Sequence, residues 1–369
     1  MDHPIIRALA PFLLKAKPYI PAGSFTAGFT FDLVTLGRID DKLNFISQTM
    51  YLGIVGSILL LSLEAKSAWL WTGPSAKRKA AKLFLTYERP AFHFLLGALL
   101  SAFAIFYFKS SSLGSSFFFL ALLASVLVLN ELRPLQKLGP IFRTALFQLA
   151  LISYTTYLLP TLMGQINTPI FALSIGVGLL SSMAMAAWLW VRHYPMGLLV
   201  KNYAAPTALV YALFVTLYVT NTLPPIPLSL QKIGIYHNVL PQAGAYELSQ
   251  QTPPWKFWSR GDETFQARKG DKIFVFARVF APINFNDKIY LRWQKRGPTN
   301  KWLTTDRIPL SIVGGRELGF RGYAYKANYA PGEWRVSVET ERSSEIGRIT
   351  FDVYNDLSTE PRKWHLTYE

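Results

Sequence analysis

Through residue 223 the apolar positions fall in blocks about twenty residues long, broken only by short polar stretches. Six blocks have the length and polarity a bilayer demands: 45–64, 90–109, 112–130, 141–162, 168–191 and 205–223. A hydrocarbon core about 30 Å thick takes about 20 residues of helix, so each is expected to cross a membrane. A seventh block, 18–37, contains two prolines, three glycines and Asp32. Membrane helices tolerate Gly and Pro, and this block too is read as a span. Residues 1–223 are therefore expected to form an all-α membrane bundle of about seven transmembrane helices.

The pattern changes at Pro224-Pro225. Residues 224–245 read as a membrane-proximal linker, with 228–240 a short mixed segment along the membrane surface. From Tyr246 the period becomes strand-like. Lys272–Phe280, Lys288–Trp293, Phe320–Tyr325, Trp334–Glu339 and Ile349–Tyr354 alternate apolar and polar residues. Lys269-Gly270-Asp271, Asn284 to Asp287, Gly297-Pro298, Gly314-Gly315 and Pro331-Gly332 supply turns between them. Strands at this spacing with no helical block predict an antiparallel, all-β, Ig-like sandwich over 246–358, of about seven strands. A small β-barrel is the alternative, and 359–369 reads as a tail.

Charge fixes the expected orientation. The chain is 51% hydrophobic and 16% charged, with net charge +16. With seven spans, the N-terminus and the loops 65–89, 131–140 and 192–204, together with Arg143, share one side and 14 basic residues, against 3 in the short loops opposite. Basic loops stay in the cytoplasm, which puts the N-terminus inside and the C-terminal domain outside, whether or not 18–37 crosses. Trp69, Trp71, Trp188 and Trp190 then fall at the inner interface, where indoles settle. Loops facing anionic lipid also account for the basic balance without nucleic acid. There is no cysteine, which excludes disulfides and thiolate metal sites. The N-terminal stretch lacks a compact apolar region ending in a cleavage site, so no cleaved signal peptide is expected.

Several segments carry a resemblance. They are Lys272–Pro282, Ile289–Trp293, Asp306–Leu310, Gly314-Gly315-Arg316, Gly319-Phe320-Arg321, Pro331–Thr340, and Ile346-Gly347-Arg348 leading into Phe351-Asp352-Val353. Together they resemble a bacterial domain of unknown function found at the C-terminus of multi-pass inner-membrane proteins. Gly28–Asp40 resembles the first span of the same proteins. The resemblance implies a bacterial inner-membrane location and a periplasmic β domain, and brings no reaction with it.

Candidate chemistry is sparse. Asp32 lies inside a span, where an ionisable group is costly and needs a partner; Arg38 is six residues on, and Lys42 and Arg143 are the other options. His93 and His193 sit near span ends, where a structural role is the simpler reading. No zinc motif, phosphate loop or nucleophile elbow occurs, and Gly314-Gly315-Arg316 reads as a β-turn. Trp255 and Trp258, between Pro253-Pro254 and Arg260-Gly261-Asp262, have turn formers on both sides and no strand period. They are expected to be exposed and, with Arg316 and Arg321, are candidates for a contact surface. Trp334, after Pro331-Gly332, is expected in the core. The expected role is a non-enzymatic accessory subunit without cofactor or metal, held in the bilayer and binding a membrane or periplasmic protein. A small-solute or lipid transporter is the alternative, with Asp32 and the Gly53/Gly56 pair lining a path. A membrane enzyme acting on lipid or glycan comes third.

Overall fold

A computed structural model describes residues 41–64, 75–112, 116–131, 139–242, 244–282, 285–313 and 319–369. Among the described residues six helices precede the β-strands: α1 Lys42–Glu64, α2 Ser75–Lys109, α3 Phe117–Glu131, α4 Pro140–Met163, α5 Thr168–Val191 and α6 Met196–Val219. Among the described residues five helices are long and apolar enough to cross a membrane: α1, α2 over Thr86–Lys109, α4, α5 and α6. The block at 112–130 yields α3, whose 15 residues fall short of the usual span. The block at 18–37 lies outside the described residues. Helix α2 also runs further back than its apolar block, taking in Ser75 to Arg89, which the sequence places in a loop. Ala, Lys, Arg, Leu and Glu dominate that stretch and are strong helix formers.

The chain divides into two compact units, one within 1–105, 120–155 and 174–214, the other within 106–119, 156–173 and 215–369. In the first, α4 is the most enclosed of the five helices. Gly56 of α1 lies against it so closely that a Cβ would stand 3.1 Å from the Phe147 ring, and Thr49 bonds to Tyr154. Arg143 of α4 reaches Glu88 of α2 at 2.8 Å. In α6 residues Val200–Ala204 form a π-turn, closed by the Ala205 N–H on the Val200 carbonyl. Pro206 follows and has no N–H to offer residue 202, which the wider turn accommodates.

Among the described residues the second unit holds eleven strands: β1 Ser229–Tyr236, β2 Asn238–Gln242, β3 Ala245–Gln250, β4 Thr264–Ala267, β5 Ile273–Phe280, β6 Asn286–Arg296, β7 Trp302–Val313, β8 Phe320–Lys326, β9 Gly332–Thr340, β10 Glu345–Asn355 and β11 His365–Tyr368. They form three sheets ordered β1-β5-β8, β4-β10-β9-β6-β7 and β11-β3-β2. This exceeds the seven antiparallel strands expected, and β4 pairs with β10 in parallel. Residues 229–236 are a core strand, in register with β5 from Ser229↔Phe280 to Tyr236↔Phe274.

One cluster joins Ile233, Ile235, Val275 and Val279 to Leu291, Trp293, Val336 and Phe351, so the β1-β5-β8 sheet packs on the five-stranded one. A second cluster of Tyr236, Val239, Leu248 and Phe276 packs β1-β5-β8 on the β11-β3-β2 sheet. Strand β5 is therefore covered on both faces, which explains why Ile273–Phe276 are apolar at every position. Residues at or just beyond helix ends in the same unit bond to its β region: Ser112 to Glu345 of β10, the Thr168 hydroxyl to Arg342 in the β9–β10 turn at 3.0 Å, and the Ile166 N–H to Asp287 of β6 at 3.4 Å.

Candidate functional site

Between β3 and β4 the chain leaves the sheets in a loop, 251–262, that is closed at its base. Asp262, 2% exposed, is the clasp. Its carboxylate accepts the N–H of Gln251 at 2.9 Å, the N–H of Thr252 at 2.7 Å and the Thr252 hydroxyl at 2.8 Å. The far end of the loop is fixed to β1, because Ile235 donates to the Arg260 carbonyl at 3.1 Å and accepts from the Asp262 N–H at 2.8 Å. Gly261 sits at this join with φ +77°, and a Cβ would lie 2.1 Å from the Ile235 carbonyl oxygen. Only glycine fits there. Two further turns, Lys256 N–H to Pro253 O and Ser259 N–H to Lys256 O, stiffen the tip.

That tip presents three aromatic side chains. Trp255 and Trp258 are each 64% exposed and Phe257 is 87% exposed. Trp258 stands edge-on to Trp255 at 5.8 Å and to Phe257 at 5.1 Å between centroids. The Lys256 ammonium lies 5.3 Å from the Trp255 ring. Beneath the loop is a cleft of about 500 Å³ walled by Phe257, Trp258, Lys256 and Arg260 on one side and Gln231 and Thr367 on the other. Its lining is aromatic and basic, with Lys232 and Tyr236 also facing it. Among the described residues no group of three His, Asp or Glu side chains is placed to hold a metal.

Behind the clasp lies His237, buried and stacked on Phe265 with 4.0 Å between centroids. Its Nε2 is 3.6 Å from Asp262 and its Nδ1 3.9 Å from Asp271. Burial holds its pKa below the usual 6.5, and the nearby Arg362 acts in the same direction, against the pull of the two carboxylates. Burial would raise the Asp271 carboxyl, but bonds from Arg362 and the Arg268 N–H outweigh it and hold it low.

The other sequence candidates do not gather here. Asp32, Arg38 and Arg316 lie outside the described residues. His93 is half-buried, edge-on to Phe92 at 5.6 Å. Arg321 is tied into the fold, donating to the Gly244 carbonyl at 2.8 Å beside the Tyr246 ring. Arg143 has Glu88 as its ion-pair partner, and Trp334 is in the core at 2% exposed. A polar cluster that the sequence does not announce joins α4, α5 and α6. Gln148 donates to the Tyr203 hydroxyl at 3.1 Å and accepts from Ser182 at 2.7 Å, while the Tyr203 hydroxyl donates to the Ser182 carbonyl at 3.0 Å. Tyr203 belongs to the π-turn, which no local sequence pattern specifies.

Residues 286–353, spanning β6 to β10, match the family model described as a protein of unknown function (DUF2914). This fits a C-terminal domain of unknown function. No curated protein matches the chain. Among solved structures, one similarity is to Pseudomonas fluorescens alkylpurine DNA glycosylase AlkC bound to DNA containing an abasic site analogue. The identity is 11%, the alignment covers 86% of this chain and all 100% of the other, and the TM-score is 0.21. Neither fold nor activity is transferred at that score.

Proposed function

We propose that this chain is a multi-pass protein of the bacterial inner membrane whose outward-facing, Ig-like β domain is a non-enzymatic accessory module that binds a protein partner. The observation that carries the reading is the aromatic loop. Three large aromatics lie exposed on a segment clasped at both ends, where burial in the domain's own core was available to other tryptophans such as Trp293. Contiguous exposed aromatics mark contact sites, and aromatic anchors dominate binding energy at protein interfaces. A rigid presentation lowers the ordering cost of association.

The test is Trp255→Ala combined with Trp258→Ala in the full chain. Because both rings are largely exposed, the melting temperature should change little, within about 0.5 kcal/mol per site. Proteins that co-purify with the wild type after mild solubilisation should be lost. A collapse of stability, or unchanged co-purification, would sink the reading. Orientation is tested separately. A reporter active only in the periplasm should work when fused after Glu369 and stay silent when fused within 65–89, and the reverse pattern would overturn the compartment assigned.

A further inference from the structure

Strand β1 lies at the edge of its sheet, with β5 as its one neighbouring strand there. From Lys232↔Arg278 to Tyr236↔Phe274 its register with β5 runs without a shift. In an antiparallel ladder, successive residues turn their N–H and C=O alternately toward the neighbour and away from it. Ile235 turns away, since its N–H donates to the Arg260 carbonyl at 3.1 Å and its carbonyl accepts from the Asp262 N–H at 2.8 Å. Two residues back, Ile233 therefore turns away as well. The returning chain bridges β1 only at Ile235↔Gly261 and parts from it there, leaving the cleft between strand and loop. Ile233 lines that cleft at 3% exposed, and neither its N–H nor its carbonyl has a partner on this side among the described residues. Buried main-chain groups are almost always paired, so this position asks for a donor and an acceptor from outside.

The cleft is also positive. Lys232, Lys256 and Arg260 line it. Lys232 pairs with Glu369, a carboxylate that Arg278 shares at 2.8 Å. Lys256 and Arg260 are exposed and form no ion pair among the described residues; Glu263 accepts the Arg260 main-chain N–H at 3.3 Å. Phe257 and Trp258 wall the same space from the loop, and its volume of about 500 Å³ lies within the range of about 300–1,000 Å³ usual for ligand clefts.

We propose that the protein partner docks here as an extended segment bearing acidic side chains, added to the free edge of β1 beneath the aromatic loop. The inference rests on the reading of that loop as a contact surface and specifies what it contacts. Strand addition draws affinity from main-chain bonds and selectivity from the side chains around the added strand. Ile233 takes the main-chain bonds, Lys256 and Arg260 take the carboxylates, and Phe257 and Trp258 cover the segment.

The experiment uses the full chain, immobilised in detergent, and pools of seven-residue peptides capped at both ends. In the first pool Glu alternates with varied apolar residues; in the second Gln replaces Glu. Two more pools repeat the first with N-methyl groups, on the Glu residues in one and on the intervening residues in the other. Alternate N–H groups of a strand point to opposite edges, and only one edge can meet β1. Wild type and a control in the β4–β5 turn, Lys269→Gln, should retain the Glu pool roughly tenfold over the Gln pool, and one N-methylated pool but not the other. Lys256→Glu combined with Arg260→Glu, both at exposed positions, should melt like wild type and retain the Glu pool about tenfold less. Wild type that retains no Glu pool, or both N-methylated pools alike, would overturn strand addition, as would unchanged retention by the charge-reversed chain. Those results leave the contact surface standing if Trp255→Ala with Trp258→Ala still abolishes co-purification. Co-purification that survives the two tryptophan substitutions removes the contact surface itself.

Discussion

His237 shows how much one side chain's surroundings set. Two carboxylates approach it, yet neither reaches hydrogen-bonding distance, and Phe265 covers its face. Burial consequently dominates, and the folded state favours the neutral ring. Below pH 6.5 the unfolded chain takes up this proton more readily than the native one, so the stabilisation is complete above that value and erodes as pH falls toward the folded pKa. The limiting slope for one such group is about 1.4 kcal/mol per pH unit. The depressed carboxyls of Asp271 and Asp356, the latter at about 2, begin to matter only at lower pH. Melting temperature should therefore fall on acidification from pH 7 to 5, and His237→Phe should flatten that dependence. A pH-independent melt of the wild type over this range would show that the ring is not held neutral by the fold.

Elements were legible from sequence where local pattern and tertiary role agree. β5, β6, β8, β9 and β10 each fall on an alternating run. β7 was not, because Pro309 reads as a breaker, and the structure resolves this by placing β7 at the edge of its sheet, where a missing donor is tolerated. β1 and β11 were missed for another reason: Gly234 and Lys232 interrupt the one, and the other has only four residues, so pairing with β5 and β3 rather than propensity makes them strands. Of the candidate site, the aromatic loop was visible in its turn formers, but its clasp was not, since Asp262 acts across ten and eleven residues. The partner of Arg143 was equally hidden, 55 residues away in α2. That ion pair is 7% and 6% exposed. Removing one member strands the other charge, a loss of about 3–5 kcal/mol. Glu88→Gln should thus lower the unfolding midpoint of the solubilised protein strongly, and Glu88→Met with Arg143→Met should restore much of it. Equal damage by single and double substitutions would mean that packing around these side chains, and not the stranded charge, sets the loss.

At the scale of the whole molecule, the three stacked sheets determine where the β domain begins. A cut at 246–358, the limits suggested by strand periodicity, discards β1, β2 and β11. With them go Leu228, Ile233, Ile235, Tyr236 and Val239, each at most 3% exposed. Burying a large apolar side chain contributes about 1.5–3 kcal/mol, so the five together contribute roughly 7–15 kcal/mol. A domain's net stability is about 5–15 kcal/mol, and the shorter fragment has no margin left. It would also bare both edges of β3 and one edge of β5, unpaired strands that invite aggregation. Residues 224–369 keep all eleven strands and both apolar clusters, and lose the bonds to helix-end residues such as Thr168 and Ser112. Those polar bonds number few against the clusters, and each contributes about 0.5–1.5 kcal/mol. The 224–369 fragment should therefore be soluble, give a β-type far-UV spectrum and unfold in one cooperative step, while 246–358 should aggregate or show no transition. Equal melting of the two fragments would show that β1 is dispensable and that the central layer does not hold the domain together.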